Sequence, residues 1–186
     1  RNLGEGRFKA EKLCPKFSET VFNVTLEDLS GDGAVDVVAC GHDGIYLIEG
    51  QSDGMFPGEA RLAWRAPEKV LDPMVMTTGD IDGDGDLDLY IVNYGAKSVL
   101  KDGGKLDIVR TNGRLTVRGP YANRIKFIGN KMFEYGEPDE FYLNDGSGRF
   151  ALLEWTDGRF KTHNGESLAE PHRDQGLSAI FRDMNG

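Results

Sequence analysis

One acidic, glycine-rich nonapeptide occurs twice in register, and it limits the possible folds more than any other feature of the chain. Asp28-Leu29-Ser30-Gly31-Asp32-Gly33-Ala34-Val35-Asp36 aligns without gaps on Asp80-Ile81-Asp82-Gly83-Asp84-Gly85-Asp86-Leu87-Asp88, and Asp183-Met184-Asn185-Gly186 begins a third copy. The offsets are 52 residues from Asp28 to Asp80 and 103 from Asp80 to Asp183, one period and then two. A period near 50 residues is the size of a propeller blade, longer than a solenoid coil, and sandwiches do not repeat in this way.

The sequence between the loops reads as β-structure. Val21 to Leu26, Val35 to Ala39, Ile45 to Ile48, Leu87 to Val92 and Phe141 to Leu143 are short apolar runs rich in β-branched or aromatic residues, bounded by turn residues. The 25 glycines among 186 residues are nearly twice the usual share of roughly 7% and mark turns. Gly-x-Phe recurs at Gly6-Arg7-Phe8, Gly54-Met55-Phe56, Gly148-Arg149-Phe150 and Gly158-Arg159-Phe160, as if closing each unit. The expected fold is all-β: about three β-propeller blades over residues 1–186, an incomplete propeller. The chain starts at an arginine and stops part-way into a loop motif, so a longer parent polypeptide is expected.

Two insertions interrupt the period. Asp36 to Tyr46 spans 10 residues, whereas Asp88 to Tyr142 spans 54, which predicts an inserted arm over 97–138. Within it Leu106 to Arg110 and Leu115 to Arg118 flank Asn112-Gly113, a strong hairpin signal because both turn residues accept positive φ. A polar stretch over 155–175 reads as a second inserted loop or small hairpin.

Alternating carboxylates in a glycine-relieved loop suit calcium, a hard cation that takes six to eight oxygen ligands. The second loop offers side chains of Asp80, Asp82, Asp84 and Asp88 and the peptide oxygen of Asp86; the first offers Asp28, Ser30, Asp32, Asp36 and the Ala34 carbonyl. Ser30 substitutes a neutral oxygen for a carboxylate, so the first site is expected to bind more weakly. Five carboxylates within nine residues would repel one another without a cation. An EF-hand needs a bidentate Glu at the twelfth position between helices, but Ala39 and Ile91 stand there and the flanks read as strands. An acidic turn with no metal is the plain alternative, and the in-register repeat argues against it.

The loops, the Gly-x-Phe turns and Tyr142-Leu143-Asn144-Asp145-Gly146-Ser147-Gly148-Arg149-Phe150 resemble the FG-GAP/VCBS repeats of integrin α-subunits and of secreted bacterial relatives of the cartilage acidic protein family. Gly176 to Gly186 is similar to the bacterial relatives. The resemblance implies calcium-binding hairpin loops in each blade, with ligand roles for Asp28, Ser30, Asp32, Ala34, Asp36, Asp80, Asp82, Asp84, Asp86 and Asp88, and the start of a site at Asp183 and Asn185. It implies an extracellular or cell-surface module for adhesion or assembly and no shared reaction.

Other chemistry is scarce. The sequence has no G-x-S-x-G elbow, H-E-x-x-H motif or P-loop, and His42, His163 and His172 lack zinc spacing, so no enzyme activity is expected. No apolar run is long enough to span a membrane. A net charge of -9 disfavours nucleic acid as a partner, and two bound dications would bring it to -5. Cys14 and Cys40 fit no redox or metal spacing, leaving a disulfide and two thiols both open, and Asn23-Val24-Thr25 matches a glycosylation sequon.

The alternatives are a carbohydrate-binding propeller, for which Trp64, Trp155, Tyr121 and Tyr135 could line a sugar site, or a non-catalytic part of a larger secreted hydrolase. Residues 97 to 131 hold nine basic and two acidic side chains, a net +7 against -16 for the rest. Arg110, Arg114 and Arg118 in this arm are therefore candidate contacts to a protein subunit, self or other, or to an anionic polysaccharide.

Overall fold

The structure, a computed structural model, describes residues 2–10, 13, 20–56, 58–66, 73–95, 98–99, 102–173 and 176–182. Cys14, Lys97, Lys101, Asp183 and Asn185 lie outside them, as does the third repeat start. No helix occurs among the described residues, and every strand pairing is antiparallel.

The first repeat folds into a four-stranded meander of β1 (Val21–Glu27), β2 (Asp36–Gly41), β3 (Gly44–Ile48) and β4 (Arg61–Arg65), with the first acidic loop joining β1 to β2. The second repeat uses β5 (Pro73–Gly79) and β6 (Asp88–Asn93) around the second acidic loop. The chain then departs into two hairpins, β7 (Asp107–Thr111) with β8 (Arg114–Arg118) and β9 (Ile125–Ile128) with β10 (Lys131–Glu134). It returns as β11 (Glu140–Asn144) and β12 (Phe150–Leu153), giving the sheet order β12-β11-β6-β5. The predicted arm is thus an insertion between the second and third strands of the second sheet, where the first sheet has only His42 and Asp43.

Register refines the sequence alignment. Val37 pairs with Ile48 in the first sheet and Leu89 with Tyr142 in the second, so Tyr142 is the counterpart of Ile48 and Tyr46 that of Glu140. Aromatic identity alone would align Tyr46 with Tyr142, and cross-strand pairing shifts that match by two residues. Gly-x-Phe likewise does not close a unit. Gly148-Arg149-Phe150 turns from β11 into β12, and Gly54-Met55-Phe56 lies between β3 and β4, each leading into the last strand of its sheet.

The two sheets pack face to face. Val38, Cys40, Ile45 and Leu47 meet Met76, Leu89, Ile91, Tyr142 and Phe150, with Leu29 at the loop end and Trp64 edge-on to Tyr142 at 4.7 Å between ring centroids. Cys40 is a free, buried thiol, and burial pushes its pKa up to about 12, which keeps it protonated and unreactive. The first strands run alongside each other, with the Asn23 amide donating to the Met74 carbonyl at 3.3 Å. Met76 on β5 is 6% exposed, whereas its repeat counterpart Val24 on β1 is 53% exposed and forms with Phe22 and Leu26 an exposed apolar strip along β1.

The far face of the second sheet is aromatic. Tyr90 and Phe141 stack at 4.4 Å, and Phe160, Trp155 and Phe181 pack over them. The second insertion therefore covers this sheet, and a bridge between Lys161 and Ser167 makes part of it a small hairpin. The arm has its own core of Val117, Tyr121 and Ile125 against Val99, Leu106 and Phe127.

Candidate metal centre

Each acidic loop is first a backbone-bracing device. In the first, the Asp28 carboxylate accepts from Gly31 N and Gly33 N at 2.9 Å each, and Asp32 accepts from Ala34 N at 2.8 Å. Asp36 is wholly buried and accepts from Leu29 N, Ser30 N and Gly50 N at 3.0, 2.8 and 2.9 Å. The second loop repeats this: Asp80 accepts from Gly83 N and Gly85 N, Asp84 from Asp86 N, and buried Asp88 from Ile81 N and Asn144 N. The curl depends on left-handed glycines, as at Gly31 with φ 74° and Gly83 with φ 81°.

With their backs held by N–H groups, the carboxylates converge. Asp80, Asp82 and Asp88 each place an oxygen within 4.8 Å of the other two, while Asp84 stands outside this group. The matching trio in the first loop is Asp28, Ser30 and Asp36. Ser30 Oγ is buried and has no hydrogen-bond partner among the described residues, an oxygen with its lone pairs unused. Burial is the main cause that raises the Asp88 pKa; the Asn144 and Ile81 N–H groups oppose it, and the charges of Asp82 and Asp84 add to it. A dication would relieve that penalty. Asp86 lies beside Gly146, whose lack of a side chain leaves room for its carboxylate, and Ala34 is buried with its N–H on Asp32.

The residue that sequence reasoning missed is Asn144. Its amide nitrogen donates to Leu29 O at 2.9 Å and Leu87 O at 3.1 Å, one carbonyl from each acidic loop, and its side-chain oxygen accepts from Gly148 N. The turn after β11 is thereby wedged between the loops. A Cβ at Gly31 would stand 2.7 Å from Gly146 O, so the fit tolerates no side chain there. Arg61 fastens the same turn from the outer strand, donating to Gly148 O at 3.1 Å and Ser147 O at 3.2 Å while pairing with Glu49 at 2.9 Å. The Asn-Asp-Gly turn signal marked the place, but its long-range hydrogen bonds leave no local pattern.

Residues 28–91, from the first residue of the first acidic loop into β6, match the family model of the FG-GAP-like repeat. Over this stretch, about a third of the chain, the sequence is similar to FG-GAP-like repeats. The matched span takes in both acidic loops, β2 to β5 and the start of β6; the inserted arm lies outside it. No curated protein and no solved structure matches the chain.

The three arginines proposed as partner contacts are all exposed but do not form one patch. Arg114 and Arg118 share a face of the hairpin, with Arg118 opposite Asp107. Arg110 is paired with Leu115, which puts it on the other face, and its guanidinium folds back onto Gly113 O at 2.9 Å. Of the four aromatics considered for a sugar site, Trp64 lies against the inter-sheet core, Tyr121 belongs to the arm core and Trp155 covers the second sheet; Tyr135 lines an open cavity.

Proposed function

We propose that the two acidic loops each take a calcium ion and that the ions rigidify the loop rim of a non-catalytic, propeller-like module used for extracellular adhesion or assembly. The observation that carries this is the convergence of Asp80, Asp82 and Asp88 at the position where the first loop leaves Ser30 Oγ buried and unpartnered. In the second loop these three carboxylates would hold the ion, joined by Asp84 and the Asp86 carbonyl as the loop closes. In the first, Asp28, Ser30, Asp32, Asp36 and the Ala34 carbonyl would do so. Calcium supplies charge neutralisation and rigidity and no reaction. The FG-GAP-like match supports an extracellular setting, and no helix among the described residues is long and apolar enough to cross a membrane.

Ions that bind only the folded loops add RT ln(1 + [L]/Kd), about 1 kcal/mol per site at millimolar calcium for Kd values of roughly 10⁻⁴ to 10⁻³ M. Thermal melts with calcium and with chelator should therefore differ, and Asp82→Ala should remove about half the gain. Identical midpoints with and without calcium would overturn the proposal.

A further inference from the structure

The two insertions meet, and between them lies a cavity of about 470 Å³. Asn123, two residues of β9, Tyr135 just after β10 and the loop between 168 and 173 line it, so the repeat has no equivalent: the first sheet replaces the whole arm with a two-residue turn. The volume falls in the range of small-ligand sites. The polar lining consists of Asn123, Lys126, Tyr135, Glu170, His172 and Arg173.

These groups are placed with some definition. Arg173 is bridged to Pro138 through its backbone, and its Nη1 donates to Asn123 O at 3.0 Å, while its buried Nε has no partner among the described residues. Lys126 Nζ lies 5.9 Å from the centre of the Tyr135 ring, at the outer limit of a cation–π contact, and forms no ion pair among the described residues. His172 is set against Trp155 with ring centroids 6.1 Å apart, which ties the cavity wall to the aromatic cover of the second sheet. Two permanent cations face a single carboxylate, so the cavity favours an anion. Yet Glu170 and Asn123 supply acceptors that a simple anion would not use, and Tyr135 supplies an apolar wall.

We infer that this cavity binds an acidic sugar residue, a uronic acid of an anionic polysaccharide. The sugar carboxylate meets Lys126 and Arg173 through charge-assisted hydrogen bonds, its hydroxyls donate to Glu170 and Asn123, and its C–H face lies against Tyr135. This goes beyond the calcium-braced module and does not depend on it.

The test is titration calorimetry on the 186-residue chain in calcium buffer with trigalacturonic acid, its methyl ester and a neutral galactose trimer. Saturable binding of the acid alone is expected, weakening as salt rises. Lys126→Gln, an exposed position that leaves folding intact, should weaken it by about tenfold, as should Tyr135→Ala; one tenfold step corresponds to about 1.4 kcal/mol. Arg114→Ser with Arg118→Ser, on the separate hairpin, should leave it unchanged. Absence of saturable binding, equal binding of the ester, or loss that follows the hairpin arginines and not Lys126 would overturn the inference. The calcium melts, read separately, are indifferent to all of these outcomes.

Discussion

The two sheets are built on one plan, yet the first is closed by a two-residue turn and the second is opened by 46 residues, 94 to 139, between the corresponding strands. The acidic loops survive this difference almost unchanged: the carboxylate–N–H bonds of the first recur in the second except that from Ser30 N to Asp36. The far end of the sheets does not: Tyr46 of the first becomes Glu140 of the second, at the base of the insertion. The loop end of each sheet is held by a fixed set of buried carboxylate and N–H partners, which leaves little freedom to vary. The opposite end has no such requirement and accommodates added chain.

The sharpest way to break the comparison is to remove the buried carboxylate that closes each loop. Asp36 satisfies three backbone N–H groups and Asp88 two. Each orphaned buried donor costs roughly 1–3 kcal/mol. Asp36→Ala should therefore lose about 4 kcal/mol by urea denaturation and Asp88→Ala about 3 kcal/mol, both measured in chelator. The reverse order would show that the loops are not braced alike.

Next in size is a pH effect confined to the second sheet. Burial pushes the Glu140 pKa from 4.5 up to about 7; hydrogen bonds from Tyr142 and Asn93 oppose this, and the charges of Glu154 and Asp139 add to it. Below pH 4.5 the carboxyl is protonated in both the folded and unfolded chain and contributes nothing. As pH rises towards 7 the unfolded chain ionises first, so stability falls, by about 3 kcal/mol in full, and the loss is complete above the folded pKa. Glu140→Gln should flatten this part of the stability–pH curve, whereas Tyr46→Phe in the first sheet should not alter its slope.

The smallest effect sharpens the contrast between the loops themselves. Ser30→Asp gives the first loop the carboxylate that Asp82 gives the second, and should tighten its calcium binding about tenfold, near 1.4 kcal/mol. Terbium luminescence titrations that resolve the two sites would read it. Unchanged affinity at the first loop would mean that Ser30 does not contribute to it.

Much of this was legible in the chain. Loop positions, strand positions and the Asn112-Gly113 hairpin, whose φ values are 49° and 79°, follow from local rules of period and turn chemistry. What escaped depends on pairing. Asn144 acts through carbonyls more than fifty residues away, the two-residue offset of Tyr142 is a matter of register, and the face occupied by Arg110 follows from its partner Leu115. The convergence of Lys126 with Arg173 needs two insertions to fold towards each other, which no spacing encodes.

The exposed strip of Phe22, Val24 and Leu26 shows how one sheet is related to the next. Val24 is the repeat counterpart of Met76, which helps seat the second sheet on the first, so the pair of sheets is generated by one step and its two ends are unlike. A further step would dock on the far face of the second sheet, and Trp155, Phe160 and Phe181 already cover that face, so the step stops there. Both acidic loops therefore lie on one rim, bridged by Asn144, and that rim concentrates the negative charge that divalent counterions would meet.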